Sequence, residues 1–550
     1  MSRDHRASAL AFAVPGFLLV LHALLFFPMR VDDAFILLRY AENLAAGHGP
    51  VFNLGERVEG FTSPAMVVLE AAFLRLGMEP LLTVKVLGVV CGLVLVGVSM
   101  ALARELSGSR AAGVLAGLLV ALHTGVAVAC VNGLETAPFA ALVALGLCFH
   151  VRARSPREEG LAGLALALAV LFRPEGGLPL AFIGASALWR WRREPTRWRR
   201  WIAFGLPSLV LVVPVHALKA AWFGSLTPNT LLAKVSVDTT ARLTSGLSYL
   251  AEYGSAHYGY LALLALWVLA LRVNPRFRLL ALLATAWSTY IASVGGDWIP
   301  HARFFVPLVP MACAAMATAL VLAWKMLGER LRAERVNLAR AAHVLLAVVA
   351  VLPSALLQTD ETLTQVREDT GASLRAREPL GAWLSSVGGP GASVAMLDVG
   401  AMSYRTGLRI IDTGGLTDTR VAHLLHASHG EYYGHLYFPD VTSAREIARV
   451  VLADRPSFVV LLLNGALPQL QSLAEELRAQ GRGNPVHVAY QQDQALFEAP
   501  EFSADYEYLC QVPSQSSPAG WVWHYNVFVR KGLALAQRPR PDARGTPRCF

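Results

Sequence analysis

The feature that most constrains this chain is a succession of apolar runs read as bilayer-spanning helices, two of them, flanking Arg173-Pro174-Glu175, short enough to be tilted or broken. The first covers residues 9–27, behind a short basic N-terminus, and reads as an uncleaved span. Others lie near 81–103, 111–131, 134–151, 159–172, 176–190, 201–222, 256–271, 279–294, 304–324 and 341–357. A helix needs about 20 apolar residues to cross the hydrocarbon, so these runs specify a polytopic α-helical membrane protein. Composition agrees, with 55% hydrophobic and only 16% charged residues. The net charge of +9 sits in short clusters between the runs. That is the pattern of loops facing anionic membrane lipids, and it excludes a nucleic-acid partner.

Charge also sets the topology. Segment 65–77 is apolar but short, and Glu70 and Arg75 interrupt it. If it lies along the membrane, the basic loops around 104–110, 152–157, 190–200, 272–278 and 325–340 all share the side of the N-terminus. The positive-inside rule then predicts about eleven transmembrane helices, a cytoplasmic N-terminus and an extracytoplasmic C-terminus. After Thr359 hydropathy falls. Segments 392–397 and 457–463 read as buried strands, and 444–453 and 467–480 as helices. Residues 1–358 are thus expected to form the membrane domain and 359–550 an extracytoplasmic α/β domain. The Pro- and Arg-rich stretch 537–549 reads as disordered. Cys510 and Cys549 can pair if this domain faces an oxidising compartment.

The same topology turns the polar residues outward. Segment 31–64, VDDAFILLRYAENLAAGHGPVFNLGERVEGFTSP, becomes the first external loop and opens with Asp32 and Asp33. Carboxylates beside a bilayer are costly unless solvated or used. Adjacent residues point to different sides, so the two suit different tasks: a general base on an acceptor hydroxyl, and a group steadying positive charge at an anomeric carbon. Alternatively, one caps the following helix while the other pairs with Arg39, which lies beside Tyr40. Arg173, Lys234, His301 and Arg303 are external and cationic or able to become so, and would suit a phosphate leaving group. Singly, each equally suits snorkelling to lipid headgroups. Glu59, Glu135, Glu175 and Asp297 share that face as site residues or counter-ions, and Asn229 is a site residue or a helix cap. His423, His426, His429 and His435 lack a cysteine or carboxylate cluster to complete a metal site. Neither a phosphate-binding glycine loop nor a nucleophile elbow occurs in the sequence.

The acidic pair directly after the first span resembles the first external loop of GT-C glycosyltransferases, closest to the mycobacterial terminal arabinofuranosyltransferase group. NGLETAPFA (132–140), FRPEGG (172–177), PNTLLAK (228–234), GGDWIPHARFFVPLVP (295–310) and DTGGLTD (412–418) resemble further motifs of that group in the same order. The resemblance covers most of the membrane half and little of the tail. It implies sugar transfer from a polyprenyl-phosphate carrier to a cell-envelope glycan, lipid or protein outside the cytoplasmic membrane of a bacterium. Asp32 or Asp33 would be the base, with no metal or other cofactor. A transporter or flippase, or a non-catalytic assembly protein for lipid-linked sugars, are the competing classes. A transporter would place its site near the midplane, whereas here the polar residues gather externally.

Overall fold

The computed structural model describes residues 3–257, 259–297, 299, 303–330, 356–433, 436–471, 486–516, 522–541 and 547–550. Within them the apolar runs are helical. Helices α1 (Arg3–Leu25), α2 (Asp32–Ala45), α3 (Pro64–Arg75) and α4 (Pro80–Ser107) lead into Arg110–Ala121, Thr136–Arg152, Pro156–Phe172, Gly177–Trp191, Gly259–Arg272, Phe277–Val294 and Val309–Arg330. The run at 341–357 falls almost wholly outside the described residues.

Among the described residues, four helical stretches are long and apolar enough to cross a membrane alone: Pro80–Ser107, Arg197–Phe223, Phe277–Val294 and Arg303–Met326. A fifth arises if Thr239–Ala256 and Leu261–Arg272, bent by 85°, count as one span. Several other runs fold into shorter helices because polar and proline residues interrupt them. Pro156–Phe172, for example, stops at Arg173 because Pro174 follows, and the residue before a proline is held extended. Helix α3 has 12 residues. At 1.5 Å per residue it reaches about 18 Å, well short of the roughly 30 Å hydrocarbon core.

The C-terminal part is built on a mixed sheet. Its strands are β1 (Ser393–Met396), β2 (Arg409–Asp412), β5 (Phe458–Leu463), β6 (Tyr506–Ser516), β7 (Val522–Arg530), β8 (Arg540–Pro541) and β9 (Pro547–Arg548), and a separate hairpin joins β3 (Glu431–Tyr433) to β4 (Leu436–Phe438). The sheet order is β2-β1-β5-β7-β6-β9-β8, with β1 parallel to β2 and β5, and β7 antiparallel to β5 and β6. Alternation along the strands sorts the two faces. Ala395, Ile411, Val459 and Leu461 pack with Val421, Ile447 and Val451 of the helices Thr419–Ala427 and Val441–Ala453. Val394, Met396, Phe458 and Val460 share a core with Ala34, Ile36, Tyr40, Phe52 and Phe61. The sheet and the loop after the first helix therefore bury one another. This explains why α2 is buried without a break from Ala34 to Ala41, although its sequence is amphipathic.

One expectation for the tail changes. The stretch 537–549 contributes β9 and the edge strand β8, and Cys549 is buried and disulfide-bonded to Cys510. A crosslink to a central strand orders a segment whose composition favours disorder. The expected helix at 467–480 falls mostly outside the described residues.

Candidate active site

Helix α2 begins at Asp32 with Val31 as its N-cap residue, and no side chain caps it. Both aspartates thus stand in the first turn, where the helix dipole favours negative charge. Neither pairs with Arg39. Their side chains diverge, and the two environments differ.

Asp32 turns toward the C-terminal domain. Its two carboxylate oxygens accept hydrogen bonds from the backbone N–H groups of Gly400 and Ala401, each at 2.9 Å. Burial pushes its carboxyl up to about 6, against the nearby Arg377 guanidinium and the two N–H donors. The approach requires glycine, since a Cβ at position 400 would stand 2.0 Å from the Asp32 carbonyl oxygen. Gly400→Ala is therefore expected to shift the start of α2. Thermal unfolding of the purified variant measures the lost fit, and a wild-type midpoint would show that the clamp is irrelevant.

Asp33 faces the opposite way, and its Oδ2 lies 3.2 Å from Lys234 Nζ. It lines a cavity of about 210 Å³ that also contains Glu135, Arg173, Glu175, Lys234, Tyr290, Asp297 and Arg303. Residues separated by up to 270 positions in sequence are thus brought to one place. Arg173, at the end of its helix, donates from Nη1 to Glu135 at 2.7 Å and from Nε to Glu175. Arg303 binds both oxygens of Asp297. The Arg173 and Arg303 side chains are only 9% and 11% exposed, which rules out snorkelling as their main role. Among the described residues, Arg173 Nη2 and Arg303 Nη1 make no hydrogen bond, and both arginines line the cavity. The carboxylates fix the guanidinium planes and leave one donor edge of each available. An oxyanion between them would meet preoriented cations.

Besides Asp32, four expected site residues do not line the cavity. Arg39 donates to the carbonyls of Phe52, Ser403 and Leu408, fastening the loop to the C-terminal domain. Tyr40 donates to the Val58 carbonyl and accepts from Gly60 N–H. Glu59 pairs with Lys219 at 2.6 Å, and burial raises its carboxyl. Asn229 donates to the carbonyls of Gly415 and Leu416, so it does not act as a side-chain cap. These residues hold the walls of the site in place. His301 and His435 lie outside the described residues. Among the described residues no three His, Cys, Asp or Glu side chains gather as metal ligands, and His426 hydrogen-bonds the Val235 carbonyl.

A second cavity of about 230 Å³ adjoins the first. Asp33, Ile36, Lys234 and Leu416 line both, while Asp32, Asp369, Arg377, Asp398, Tyr437, Tyr490 and Gln492 line the second alone. Together the two reach the roughly 300–1,000 Å³ usual for small-molecule sites. Leu416 belongs to the 412–418 turn, which Asp412 closes by accepting from the Gly414 and Thr417 N–H groups.

Behind this turn, Asp493 accepts from Thr413, and burial pushes its carboxyl up to about 7. A carboxyl whose folded pKa lies above its unfolded value of about 3.9 contributes stability that is full below pH 4 and lost as pH rises through 7. Asp412, pushed up to about 6 by burial, acts in the same direction. Thermal unfolding is thus expected at a higher temperature at pH 5 than at pH 8, with a smaller difference in Asp493→Asn. An unchanged difference in the variant would contradict this assignment.

Residues 364–521 match a family described only as a domain of unknown function (DUF8728). A terminal beta-(1->2)-arabinofuranosyltransferase of Mycobacterium tuberculosis is 32% identical over 259 residues, which are 43% of this chain and 38% of that protein. The chain thus spans well under half the length of this curated relative. ArnT from Cupriavidus metallidurans, solved bound to undecaprenyl phosphate, superposes with a TM-score of 0.56 at 15% identity, over 96% of this chain and 99% of that one. The oligosaccharyltransferase AglB from Archaeoglobus fulgidus, in complex with an inhibitory peptide and a dolichol-phosphate, gives 0.52 at 12% identity, over 91% and 80%. Identities this low establish the architecture alone, a polytopic helical bundle with a C-terminal domain. The chain therefore shares the fold of ArnT and AglB.

Proposed function

We propose that this chain is a membrane glycosyltransferase that moves a sugar from a polyprenyl-phosphate carrier to an acceptor hydroxyl at the external face. The observation that carries this reading is the gathering of Asp33, Arg173, Lys234 and Arg303 around one cavity. The arabinofuranosyltransferase name of the mycobacterial relative and the undecaprenyl phosphate bound to ArnT support it. About eleven spans, a cytoplasmic N-terminus and an extracytoplasmic domain from about residue 359 belong to the same reading. The Cys510–Cys549 disulfide favours that orientation, because disulfides persist in oxidising compartments.

In this mechanism the donor phosphate lies between Arg173 and Arg303, within reach of Lys234. Asp33 takes the proton of the acceptor hydroxyl as its oxygen bonds to the anomeric carbon. The bond from that carbon to the phosphate oxygen breaks, and polyprenyl phosphate departs with the electron pair. The arginines steady its charge. When Lys234 engages the phosphate, it leaves Asp33 available as the base. Asp32 is a positioning residue, holding the first turn of α2 against the C-terminal domain. Arabinofuranose or another pentose or hexose fits the reading. Purified protein given a panel of polyprenyl-phosphate sugars should release free polyprenyl phosphate from one of them. No release from any donor, with envelope extracts supplied as acceptor, would favour a transporter or an assembly protein.

A further inference from the structure

Away from both cavities, residues 189–201 (WRWRREPTRWRRW) join the helices Gly177–Trp191 and Arg197–Pro207. The stretch holds six arginines against one glutamate, together with four tryptophans. The apolar stretch Arg197–Phe223, long enough to cross a membrane, starts within it, so these residues belong at a membrane–water interface.

Some of them anchor the loop. Trp191 donates from Nε1 to Glu159 at 2.5 Å, and Glu159, fully buried, also pairs with His150 at 3.0 Å. Arg200, only 7% exposed, donates to both oxygens of Glu194 and stacks over the Trp191 ring at 3.8 Å. Arg190 donates to the His150 and Ala153 carbonyls, and Arg200 to that of Arg154. The loop is thereby fixed against residues 150–157, where Arg152, Arg154 and Arg157 add exposed positive charge.

The others face outward. Arg192, Arg193, Arg197 and Arg199 are exposed, and among the described residues none of them pairs with a carboxylate. Three of them stand over tryptophan rings: Arg192 over Trp189 at 3.7 Å, Arg199 over Trp198 at 5.3 Å and Arg197 over Trp201 at 5.7 Å. Stacking holds a guanidinium plane and leaves its in-plane N–H fork for an oxyanion. Lysine, which lacks that fork, is absent from the stretch. Trp189 and Trp198 are 69% and 54% exposed, as indoles are among lipid headgroups. The flanking Leu188 and Ile202 are 51% and 55% exposed, so an anion that carries alkyl chains covers what a soluble anion leaves bare. A second copy of the same patch would be repelled by its charge.

We infer that this Arg–Trp loop is a binding site for the phosphodiester headgroup of an anionic phospholipid. Bound there, the lipid clamps the ends of the helices Thr136–Arg152, Pro156–Phe172, Gly177–Trp191 and Arg197–Pro207, which the anchoring contacts already bring together. The site is independent of sugar-transfer chemistry, and binding tests it without any turnover.

Full-length protein in neutral detergent would be titrated with dioleoyl phosphatidylglycerol or dioleoyl phosphatidylcholine, following bound lipid and the thermal midpoint. Phosphatidylglycerol is expected to bind and raise the midpoint, and phosphatidylcholine, with the same chains and no net charge, to bind far more weakly. An arginine at an anionic lipid surface contributes about fivefold in affinity, so Arg192→Gln, Arg197→Gln and Arg199→Gln combined should weaken binding on the order of 10²-fold. Trp189→Leu with Trp198→Leu keeps every charge and should still weaken it about tenfold. The basic loop 272–278 holds three exposed arginines and no tryptophan, and serves as the control. Arg272→Gln, Arg276→Gln and Arg278→Gln combined should leave the affinity nearly unchanged.

Equal binding of the two lipids overturns the inference. So does an equal loss in the two arginine triples, which would reduce the patch to general surface charge, or unchanged binding in the tryptophan variant. Displacement of the lipid by millimolar inorganic phosphate overturns it as well, because the site would then serve a soluble anion.

Discussion

Asp33→Asn is expected to lower sugar transfer by about 10²–10⁴-fold, the usual worth of a positioned general base. It should leave the thermal midpoint within a few degrees of wild type. Asn keeps the volume and loses only the carboxylate, whose one close partner, Lys234, is itself 32% exposed and can be solvated. Asp32→Asn should behave differently. The Asp32 carboxylate accepts from two backbone N–H groups, and an amide can satisfy only one while turning an N–H₂ toward the other. Leaving a buried donor unmet costs about 1–3 kcal/mol, so this variant should lose stability together with activity. Measuring carrier-phosphate release and thermal unfolding on both variants separates the roles. Full turnover in Asp33→Asn, with loss confined to Asp32→Asn, would reverse the assignment of base and anchor.

Arg173→Ala should produce the largest stability loss in the membrane half. It removes the cation between Glu135 and Glu175, whose side chains are only 5% and 7% exposed. Breaking a buried ion pair on one side costs about 3–5 kcal/mol, because the remaining charge has neither water nor partner. Arg173→Lys keeps the charge but cannot reproduce the planar fork that reaches both glutamates while facing the cavity. The combination Arg173→Ala with Glu135→Gln should recover part of the thermal midpoint by removing one stranded carboxylate. Its transfer activity should stay low, because the donor edge facing the phosphate is still missing. Recovery of both together would make Arg173 a purely structural residue.

Much of the first cavity's charged lining was legible from the sequence. Asp33, Glu135, Arg173, Glu175, Lys234, Asp297 and Arg303 all flank apolar segments on one predicted side, and folding those segments together brings the residues into one cavity. Span ends are few and membrane-adjacent charge is expensive, so little else could explain them. The expectations for Arg39 and Glu59 were less successful. Arg39 turned to backbone carbonyls, and Glu59 to Lys219, which lies within an apolar run and gave no sign of pairing. Local sequence cannot show which buried charge meets which.

The second cavity was not legible. Asp369, Arg377, Asp398, Tyr490 and Gln492 are scattered through a tail whose pattern shows only compact strands and helices. The one available signal was the turn after β1, Leu397-Asp398-Val399-Gly400-Ala401, where a small flexible residue follows a buried strand. That cue marks a close backbone approach without naming the partner, which proved to be Asp32, more than 360 positions away. Prolines and polar interruptions cut several runs into helices too short to cross alone, and part of the membrane half lies outside the described residues.

The most direct test is a structure of the protein with a polyprenyl-phosphate sugar analogue whose sugar–phosphate bond cannot break. The phosphate should lie within hydrogen-bond reach of Arg173 Nη2 and Arg303 Nη1, with the anomeric carbon facing Asp33 and the prenyl tail running between the helices. A phosphate bound instead against Arg377 in the second cavity, or a sugar turned away from Asp33, would contradict the proposed chemistry.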